Sequence, residues 1–360
     1  MCIKMYYKCL SGNEPHICKE FLNFPKKLYD GKMCPQDIGA EKKLLSGCHP
    51  LSGDFEIIPL LVKDEKGKAA ARGMLTFYPG EAEAYLGFFD SINDIEACRS
   101  LIQAAEKIAS DRGKTSLVGP IDASIWIGYR FKTDHFDVPY SCEPWNMDYY
   151  PRLWEQCGFE IWKRYYSFRM KRITEEAGHP KYEARVKKFR SEGYEITNLD
   201  MKRFDEVFRE IYDLLIELYS TFPGYKRISY EAFYSLFSNL RLILSPEDVI
   251  LVYKDNALAA FSICIPNFYE NLFGKMTFLK IMRVLRLKKH PEELIALYMG
   301  VHPKHLGLGS VMAELLRKQM YKSGCIPIKA LIQENKVTGA YYNDLLDEKM
   351  EYVLLRKTLR

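Results

Sequence analysis

The segment with the clearest chemical potential is Val301–Ser310, which reads V-H-P-K-H-L-G-L-G-S. Gly307 and Gly309 allow the backbone to approach a ligand closely, because they carry no side chain. The segment joins an apolar strand pattern to an amphipathic helix pattern, and the free amides at the start of a helix bind phosphate groups well. Lys304 and His305 add positive charge beside these amides. The spacing therefore predicts a phosphate-binding loop.

Two common nucleotide loops do not fit this segment. A dinucleotide-binding loop requires a third glycine and a later acidic residue, and neither stands at the required spacing. A Walker A loop requires Gly-Lys followed by Ser or Thr, which the segment lacks. A tight turn between a strand and a helix, without any ligand, remains the alternative to a phosphate site.

The strand and helix patterns that hold this loop occur twice along the chain. The first set consists of strands at 83–90, 115–118 and 161–170, a helix at 94–112, and Asn146 followed by Tyr149 and Tyr150. The second set consists of strands at 294–301, 326–332 and 350–356, a helix at 310–321, and Asn335 followed by Tyr341 and Tyr342. Two sets in the same order predict a duplicated domain.

The front of the second set is also recognisable. It comprises a strand at 194–199, helices at 204–218 and 230–244, and strands at 249–253 and 258–265. Asp255 and Asn256, between the last two strands, predict a hairpin turn. Residues 171–181 show no apolar periodicity, so we place the boundary there and predict a first domain at 1–172 and a second at 173–360.

A family resemblance rests on the same loop. Val301-His-Pro-x-x-x-Gly-x-Gly resembles the signature loop of the GNAT superfamily of N-acetyltransferases, written Arg/Gln-x-x-Gly-x-Gly/Ala, with Lys304 at the Arg/Gln position. Asn335, with Tyr342 seven residues later, is similar to a later motif of the family. The resemblance covers essentially all of the second domain. It implies an α/β (α+β) fold, in which a mixed twisted sheet in each domain is flanked by helices.

The front half resembles a degenerate copy of this domain, as in bacterial tandem acyltransferase-like proteins. Their Gly-Phe-Phe, Gly-Pro and Asn-x-x-Tyr-Tyr motifs stand here as Gly87–Phe89, Gly119–Pro120 and Asn146–Tyr150. Where the second domain has its glycine loop, the first has Asp90-Ser-Ile-Asn-Asp94, which carries two acids and no glycine. Because acids repel a pyrophosphate, we expect only the second domain to bind coenzyme A.

The resemblance implies acetyl-CoA or a longer acyl-CoA as co-substrate. In the family, a backbone amide of the strand before the loop binds the thioester carbonyl, and the Asn of the later motif faces the pantetheine arm. The donor-binding residues implied here are Met299, Gly300, Val301, Lys304, His305, Leu306, Gly307, Leu308, Gly309, Ser310 and Asn335. No metal is implied, because this chemistry needs no Lewis acid.

Amide formation from a thioester requires a neutral amine, a site for the oxyanion and a proton for the departing thiolate. Tyr342 matches the general acid of the family, and Tyr341 is the neighbour that can replace it. Glu334, at the end of a strand, is the candidate general base and would act through a water molecule. A purely structural role as helix residues in the core is the alternative for both tyrosines.

Residues 267–290 replace the short connection expected between two strands and mix large apolar with basic side chains. We predict a helix that packs against the other half with its lysines in water. The alternative is a basic amphipathic helix that docks on a membrane, an acidic carrier protein or an acidic substrate.

Aromatic side chains concentrate between Trp126 and Tyr150. They either line an apolar pocket for the acyl chain or the acceptor, or fill the interface between the two domains. Four acids lie in or beside this stretch and are candidates to bind an acceptor ammonium group: Asp122, Asp134, Asp137 and Glu143.

Composition limits the remaining possibilities. The chain is 48% hydrophobic and 28% charged, which excludes a disordered protein. A net charge of +5, without a concentrated basic stretch, gives no argument for nucleic acid. The ten cysteines include no Cys-x-x-Cys pair, so a structural zinc site is not expected. The polar residues after Met1 form no signal peptide, and no apolar run approaches the roughly 18 residues of a membrane span, so we expect a cytoplasmic protein.

The sequence therefore predicts an acyl-CoA-dependent N-acyltransferase that acts on a primary amine of a small molecule or a peptide. One alternative is a CoA-binding sensor without turnover. The other is acyl or aminoacyl transfer from a carrier protein or a tRNA.

Overall fold

A single mixed sheet of thirteen strands organises the described part of the chain. The computed structural model describes residues 7–29, 33–274 and 276–359. The prediction about a signal peptide concerns the first residues, of which 1–6 lie outside this description. Within the described residues, no helix combines the length and the apolar character that a membrane span requires.

The strands of the first half are β1 (Lys8–Ser11), β2 (Glu56–Lys63), β3 (Ala69–Phe77), β4 (Glu83–Ser91), β5 (Ser116–Gly119), β6 (Phe131–Lys132) and β7 (Glu160–Met170). Those of the second half are β8 (Tyr194–Asn198), β9 (Val249–Lys254), β10 (Ala257–Pro266), β11 (Glu293–Val301), β12 (Ile326–Gln333) and β13 (Leu346–Thr358). The helices are α1 (Pro15–Leu28), α2 (Ile38–Leu45), α3 (Ile95–Asp111), α4 (Tyr150–Gln156), α5 (Pro180–Ser191), α6 (Phe204–Leu218), α7 (Tyr230–Phe237), α8 (Phe278–Lys289) and α9 (Leu308–Ser323).

The sheet contains the same arrangement twice. Its strand order is β1-β2-β3-β4-β5-β13-β7-β12-β11-β10-β9-β8, and β6 pairs with β13. In the first half β2, β3 and β4 are antiparallel and β4 runs parallel to β5. In the second half β9, β10 and β11 are antiparallel and β11 runs parallel to β12. The predicted internal repeat is present in the topology.

The last strand of each set lies in the other half of the sheet. We expected 161–170 to close the first domain, and this expectation is wrong. β7 pairs with β12 and β13, whereas β5 receives β13, the final strand of the chain. The two halves therefore share a continuous sheet through exchanged strands. The boundary predicted near 172 separates the two repeats along the chain, but it does not divide the sheet.

Most predicted helices are present, and one of them is shorter than expected. α6 buries Phe204, Val207 and Ile211 along one side, as its periodicity predicts. The helix expected at 230–244 ends at Phe237 and continues as a 3₁₀ turn. Tyr341 and Tyr342 are not helical, because a 3₁₀ turn ends at Ala340 and Tyr342 has a left-handed backbone (φ 53°). The corresponding tyrosine of the first half, Tyr150, begins α4 instead.

The expected hairpin turn is also present. Asp255 and Asn256 connect β9 to β10 with φ angles of 51° and 62°. Two consecutive left-handed residues match the right-handed twist of a hairpin, and Asp and Asn tolerate this conformation better than most residues.

The helix in the 267–290 segment exposes apolar side chains that were expected to pack against the protein. The ammonium group of Lys288 donates to the carbonyl of Leu242 (2.8 Å), and that of Lys280 donates to the carbonyl of Phe273. Val284 is buried, whereas Phe278 is 75% exposed. The other large apolar side chains of α8 that face solvent are Leu279, Ile281, Met282 and Leu285. Two lysines therefore bind backbone carbonyls and five large apolar side chains face water, whereas Arg283, Arg286 and Lys289 are exposed as expected. Lys275 lies outside the described residues.

Candidate functional site

A gap opens between β11 and β12 in the second half. The two strands pair from Glu293 and Ile326 to Ala296 and Lys329, and no further. Beyond Lys329 the pairing of β12 with β7 shifts register, and Leu331 adopts a left-handed backbone (φ 51°). The two parallel strands therefore separate toward their carboxyl ends, which creates a gap with free backbone groups on its edges.

The amides of Met299 and Val301 point into this gap. His302 donates its amide proton to the carbonyl of Ala259 (2.9 Å). In an antiparallel pair every second residue bonds to the same neighbouring strand, so the N–H and C=O groups of Gly300 also face β10. Met299 and Val301 alternate with these two residues, so their N–H and C=O groups face away from β10, toward the gap. Gly300 has a packing role, because a Cβ there would lie 2.5 Å from the ring of Phe261.

The glycine loop leads directly into α9. Gly307 occupies the N-cap position with φ 89°, where a side chain would be strained, and no side chain caps the first amides of the helix. The Ser310 hydroxyl donates to the carbonyl of Gly307 (2.9 Å) and accepts from Nη1 of Arg185 (2.7 Å). The start of α9 therefore combines uncapped amides with a guanidinium group, which is the arrangement that favours a phosphate.

Sequence reasoning missed Arg185. It belongs to α5, which packs against α9 but follows a stretch interpreted as a boundary between domains. A signal was available, since five of the twelve residues in this short helix are basic: Lys181, Arg185, Lys187, Lys188 and Arg190.

The rim of the loop is only partly cationic. Lys304 is exposed, whereas Nδ1 of His305 lies 2.8 Å from the hydroxyl of Tyr194. Burial and the nearby His302 and Lys304 lower the pKa of His305, so this ring is neutral near pH 7. Leu306, between His305 and the glycines, is 89% exposed and covers the loop from outside. Of the two predicted rim charges, Lys304 alone is a cation at neutral pH.

The two candidate tyrosines differ in their hydrogen bonds. Tyr342 donates to the carboxylate of Glu314 on α9, which Arg317 also holds with two bonds of 3.0 and 2.8 Å. Burial, followed by the bond to Glu314, raises the pKa of Tyr342. Tyr341 has no hydrogen-bond acceptor for its hydroxyl among the described residues, and its oxygen lies 2.8 Å from the position of a Cβ on Gly309. Tyr341 is therefore the one with a free hydroxyl, beside the start of α9.

Lys329 holds the segment that carries Tyr341. Its ammonium group donates to the carbonyls of Tyr341 (2.9 Å) and Gly339 (3.2 Å), and burial lowers its pKa to about 8. Because Lys329 is the last β12 residue paired with β11, it connects the base of the gap to the tyrosine segment.

Glu334 and Asn335 lie away from the gap. Glu334 is exposed, and its carboxylate accepts from the hydroxyl of Tyr166 (3.0 Å). Asn335 is exposed at a left-handed turn position (φ 66°) that asparagine tolerates. Neither residue lines the cavity described below, although Tyr341, Tyr342 and Met299 do. The structure therefore brings the tyrosines and the β11 strand together, without the predicted base.

The corresponding gap in the first half is closed. β4 and β5 pair only as far as Tyr85 and Val118, but Ile121 then donates its amide proton to the carbonyl of Leu86 (3.0 Å). A Cβ on Gly87 would lie 1.9 Å from the Ile121 carbonyl oxygen, so the chain crosses the gap in backbone contact. This contact also requires a glycine in the Gly-Phe-Phe motif.

The first-half helix start is capped. The Asp94 carboxylate accepts from the amides of Glu96 (2.8 Å) and Ala97 (3.4 Å) at the beginning of α3. A carboxylate thus binds the first amides of α3, whereas the corresponding amides of α9 have no side-chain cap. Asp122 similarly accepts from the amide of Phe88, at the irregular point of β4. Of the two acids predicted to repel a pyrophosphate, Asp94 is thus the cap of α3.

Burial raises the pKa of Asp122 from its ordinary value of 3.8 to about 7. The native protein therefore binds this proton more tightly than the unfolded chain, and the associated stability is lost as pH rises from about 4 through 7. We expect Asp122→Asn to stabilise the protein increasingly over that interval, because the amide stays neutral and its oxygen still accepts from Phe88. Thermal midpoints of both proteins between pH 4 and 8 measure the difference.

The exposed Asp137→Asn serves as the control for this series and should give a difference from wild type that hardly changes with pH. A constant difference for Asp122→Asn as well would contradict the assignment of a raised pKa to Asp122.

A cavity of about 780 Å³ connects the second-half gap with the interior of the first half. We call the part of this cavity around Arg130 the central chamber, and its lining includes Tyr129, Glu143, Tyr219 and Tyr298. Of the four predicted acids, Asp122 and Glu143 line the cavity, and Asp134 and Asp137 do not. Trp126 lines it too, and its Nε1 donates to the carbonyl of Lys226 in the second half (2.8 Å). The aromatic stretch thus forms both a pocket wall and an interface.

No group of three or more metal-binding side chains occurs within the described ranges. The nine cysteines in those ranges are free thiols.

Comparison with known proteins identifies the fold. No protein-family model matches the chain, and no curated protein matches it. Among solved structures, 99% of the chain superposes on a GCN5-related glucosamine N-acetyltransferase region of a fungal multidomain β-N-acetylglucosaminidase, with a TM-score of 0.52, 10% identity and coverage of 38% of that chain. The chain has a tandem GNAT fold.

Two further structures align with most of the chain at lower TM-scores. A tandem GNAT protein from the clavulanic acid biosynthesis pathway aligns over 99% of both chains at 11% identity, with a TM-score of 0.49. A GCN5-related N-acetyltransferase from Sphaerobacter thermophilus aligns over 99% of this chain and 96% of its own at 13% identity, with a TM-score of 0.47. The predicted fold is confirmed by the superposition on the glucosamine N-acetyltransferase region together with the repeated strand arrangement of the sheet.

Proposed function

We propose that the protein is an acyl-CoA-dependent N-acyltransferase, which transfers an acetyl or longer acyl group to a primary amine. The observation that carries the proposal is the contrast between the two halves. The helix start at Gly307 is uncapped and stands beside an open gap, whereas the one at Asp94 is capped beside a closed gap. A fold that needed only a tight turn would not require this difference.

The pyrophosphate of the donor is held by the amides at the start of α9, with Arg185 and Lys304 as the nearby cations. Met299 offers its amide to the thioester carbonyl oxygen, because this amide faces the gap rather than β10. Gly307 and Gly309 permit the close approach of the backbone. The predicted Leu306, Leu308 and Ser310 belong to the same loop and are proposed as donor contacts through their backbone.

The chemistry follows from groups around the gap. A neutral amine attacks the carbonyl carbon, a C–N bond forms, and the oxyanion is stabilised by the Met299 amide. When the C–S bond breaks, Tyr341 donates its hydroxyl proton to the thiolate, since that hydroxyl has no other acceptor among the described residues. Water takes the proton that the amine loses and returns one to the Tyr341 phenolate, as no predicted base lies at the gap.

A charge substitution at the exposed Leu306 tests donor binding without disturbing the fold. We expect Leu306→Glu to weaken the binding of coenzyme A about five- to tenfold, because a carboxylate stands near the pyrophosphate in partly screened surroundings. Isothermal titration with coenzyme A and acetyl-CoA measures the dissociation constants.

The matched control is Leu306→Gln, which has the same shape without the charge and should bind like wild type. Equal losses for both variants would assign the effect to shape rather than to phosphate. If neither coenzyme A nor acetyl-CoA binds wild type, the proposed donor is wrong, and a carrier-protein or tRNA donor takes its place. Donor binding without turnover of any amine would identify a sensor.

A further inference from the structure

Arg130 is a buried cation without an anionic partner. Its side chain is enclosed in the central chamber, with 6% of the residue exposed. No carboxylate of the described residues lies within ion-pair distance of it, and its Nε has no hydrogen-bond partner there. Arg72 has a similar degree of burial, but it binds two carboxylates, Glu41 and Asp90. A buried guanidinium normally requires such partners, because an unpaired buried charge is costly.

The surroundings hold the Arg130 guanidinium in place without neutralising it. Its central carbon lies 3.6 Å from the ring centre of Tyr129 and 4.0 Å from that of Tyr165. Its amide donates to the carbonyl of Pro120 (3.1 Å), and its φ of 83° is rare for a residue with a side chain. Burial lowers its pKa to about 10, so the group stays charged at neutral pH.

The one acid in this part of the chamber is already engaged. The Glu143 carboxylate accepts from the hydroxyl of Ser167 (2.7 Å) and from that of Tyr352, and burial raises its pKa. Glu143 is therefore held by two hydroxyl groups, and no ion pair joins it to Arg130. The phenol groups of Tyr219 and Tyr298 line the same space and can donate hydrogen bonds to an anion beside it.

The chamber adjoins the reaction centre of the proposed function. Arg130, Tyr298 and Met299 line the same cavity. The charge of Arg130 also opposes the burial that raises the pKa of Tyr298 to about 12. Tyr298 directly precedes Met299, whose amide faces the gap between β11 and β12. A molecule anchored at Arg130 thus extends toward the position of the thioester.

We infer that Arg130 binds a carboxylate of the acceptor, so that the acceptor is an amine that also carries a carboxylate, as an amino acid does. This inference rests on the proposed function for the identity of the amine as acceptor. The Arg130 guanidinium packs against two rings that are perpendicular to each other, and its Nε–H has no acceptor among the described residues. The planar N–H edge of a guanidinium matches the two oxygens of a carboxylate. The aromatic walls suit an acceptor with an apolar side chain.

The experiment compares matched amines that differ in one group. Phenylalanine, phenylalaninamide and phenylethylamine are tested for binding by titration and for acetylation by turnover, and an aminophosphonate analogue of phenylalanine distinguishes a carboxylate from a phosphate-like anion. We expect wild type to favour phenylalanine over its amide at least thirtyfold in kcat/KM, mainly through KM. A preference for the uncharged amines, or binding of none of the carboxylates, would overturn the inference; a preference for the phosphonate would reassign the anion.

Arg130→Met is the decisive variant. Because Arg130 has no carboxylate partner, its loss leaves no unpaired acid, and we expect an unchanged or higher thermal midpoint with unchanged affinity for coenzyme A. Discrimination between phenylalanine and its amide should disappear. Arg130→Lys keeps the charge without the planar guanidinium and should retain part of this discrimination. If Arg130→Met keeps full discrimination, the inference is wrong.

The two proposals fail in distinguishable ways. Without donor binding the proposed function fails, yet titration of phenylalanine against wild type and Arg130→Met still tests the carboxylate site. With donor binding and no carboxylate preference, the proposed function stands and the assignment of Arg130 falls.

Discussion

Replacing Arg72 with leucine is expected to destabilise the protein by about 3–5 kcal/mol, because it leaves two buried carboxylates without their cation. The guanidinium donates to Glu41 (2.6 and 3.0 Å) and to Asp90 (2.7 Å), and all three side chains are buried. Burial lowers the pKa of Arg72, and the two carboxylates more than offset this effect. Chemical denaturation monitored by fluorescence measures the loss.

Arg112 provides a matched control at the surface. It makes the same two-pronged contact with Glu56 (2.7 Å for both bonds) and also lies over an aromatic ring, that of Phe77. Because water solvates both of its charges, Arg112→Leu should cost no more than about 1 kcal/mol. Equal losses for the two variants would show that the buried cluster contributes no more than a surface ion pair.

Replacing Tyr341 with phenylalanine is expected to lower kcat about a hundredfold or more, while the affinity for coenzyme A stays within a factor of about two. General acid catalysis typically contributes two to four powers of ten, and the hydroxyl of Tyr341 is the free one beside the start of α9. Steady-state kinetics with the best amine, together with titration of coenzyme A, separates the effect on turnover from the effect on binding.

Tyr342→Phe is the matched control, since it removes the same atom from the neighbouring residue. Its hydroxyl bonds to Glu314, which is 0% exposed, so the expected result is a stability loss of about 1–2 kcal/mol with kcat reduced only a few-fold. A larger loss of turnover in Tyr342→Phe than in Tyr341→Phe would identify Tyr342 as the general acid. A loss of less than threefold in both variants would show that neither tyrosine is the general acid.

Local patterns in the sequence were sufficient to predict the elements around the gap. The periodicity of 310–321 and the apolar run at 294–301 predicted α9 and β11, and Gly307 between them predicted the loop, because its left-handed backbone favours glycine. The repeated order of strands and helices predicted two similar halves. These features depend on residues that are close in the chain, which is why one sequence reveals them.

The tertiary structure decided which residues meet. Strand exchange between β7 and β13 depends on pairing across nearly two hundred residues, and no local pattern specifies the partner of a strand. Glu334 lies outside the cavity beside the left-handed Asn335, and the hydroxyl of Tyr341 is free whereas the left-handed Tyr342 binds Glu314. The local sequence did not specify these two turns.

Arg130 shows the same division between local pattern and tertiary contact. Sequence alone determined that a single arginine stands in an aromatic stretch, as Tyr129-Arg130-Phe131. It could not determine that this arginine lacks a carboxylate, because that depends on which distant side chains fill its surroundings. Residues close in the chain determined the strands, the helices and the glycine loop of the tandem GNAT fold. The tertiary structure alone placed Tyr165, Tyr219 and Tyr298, rather than a carboxylate, around the guanidinium of Arg130.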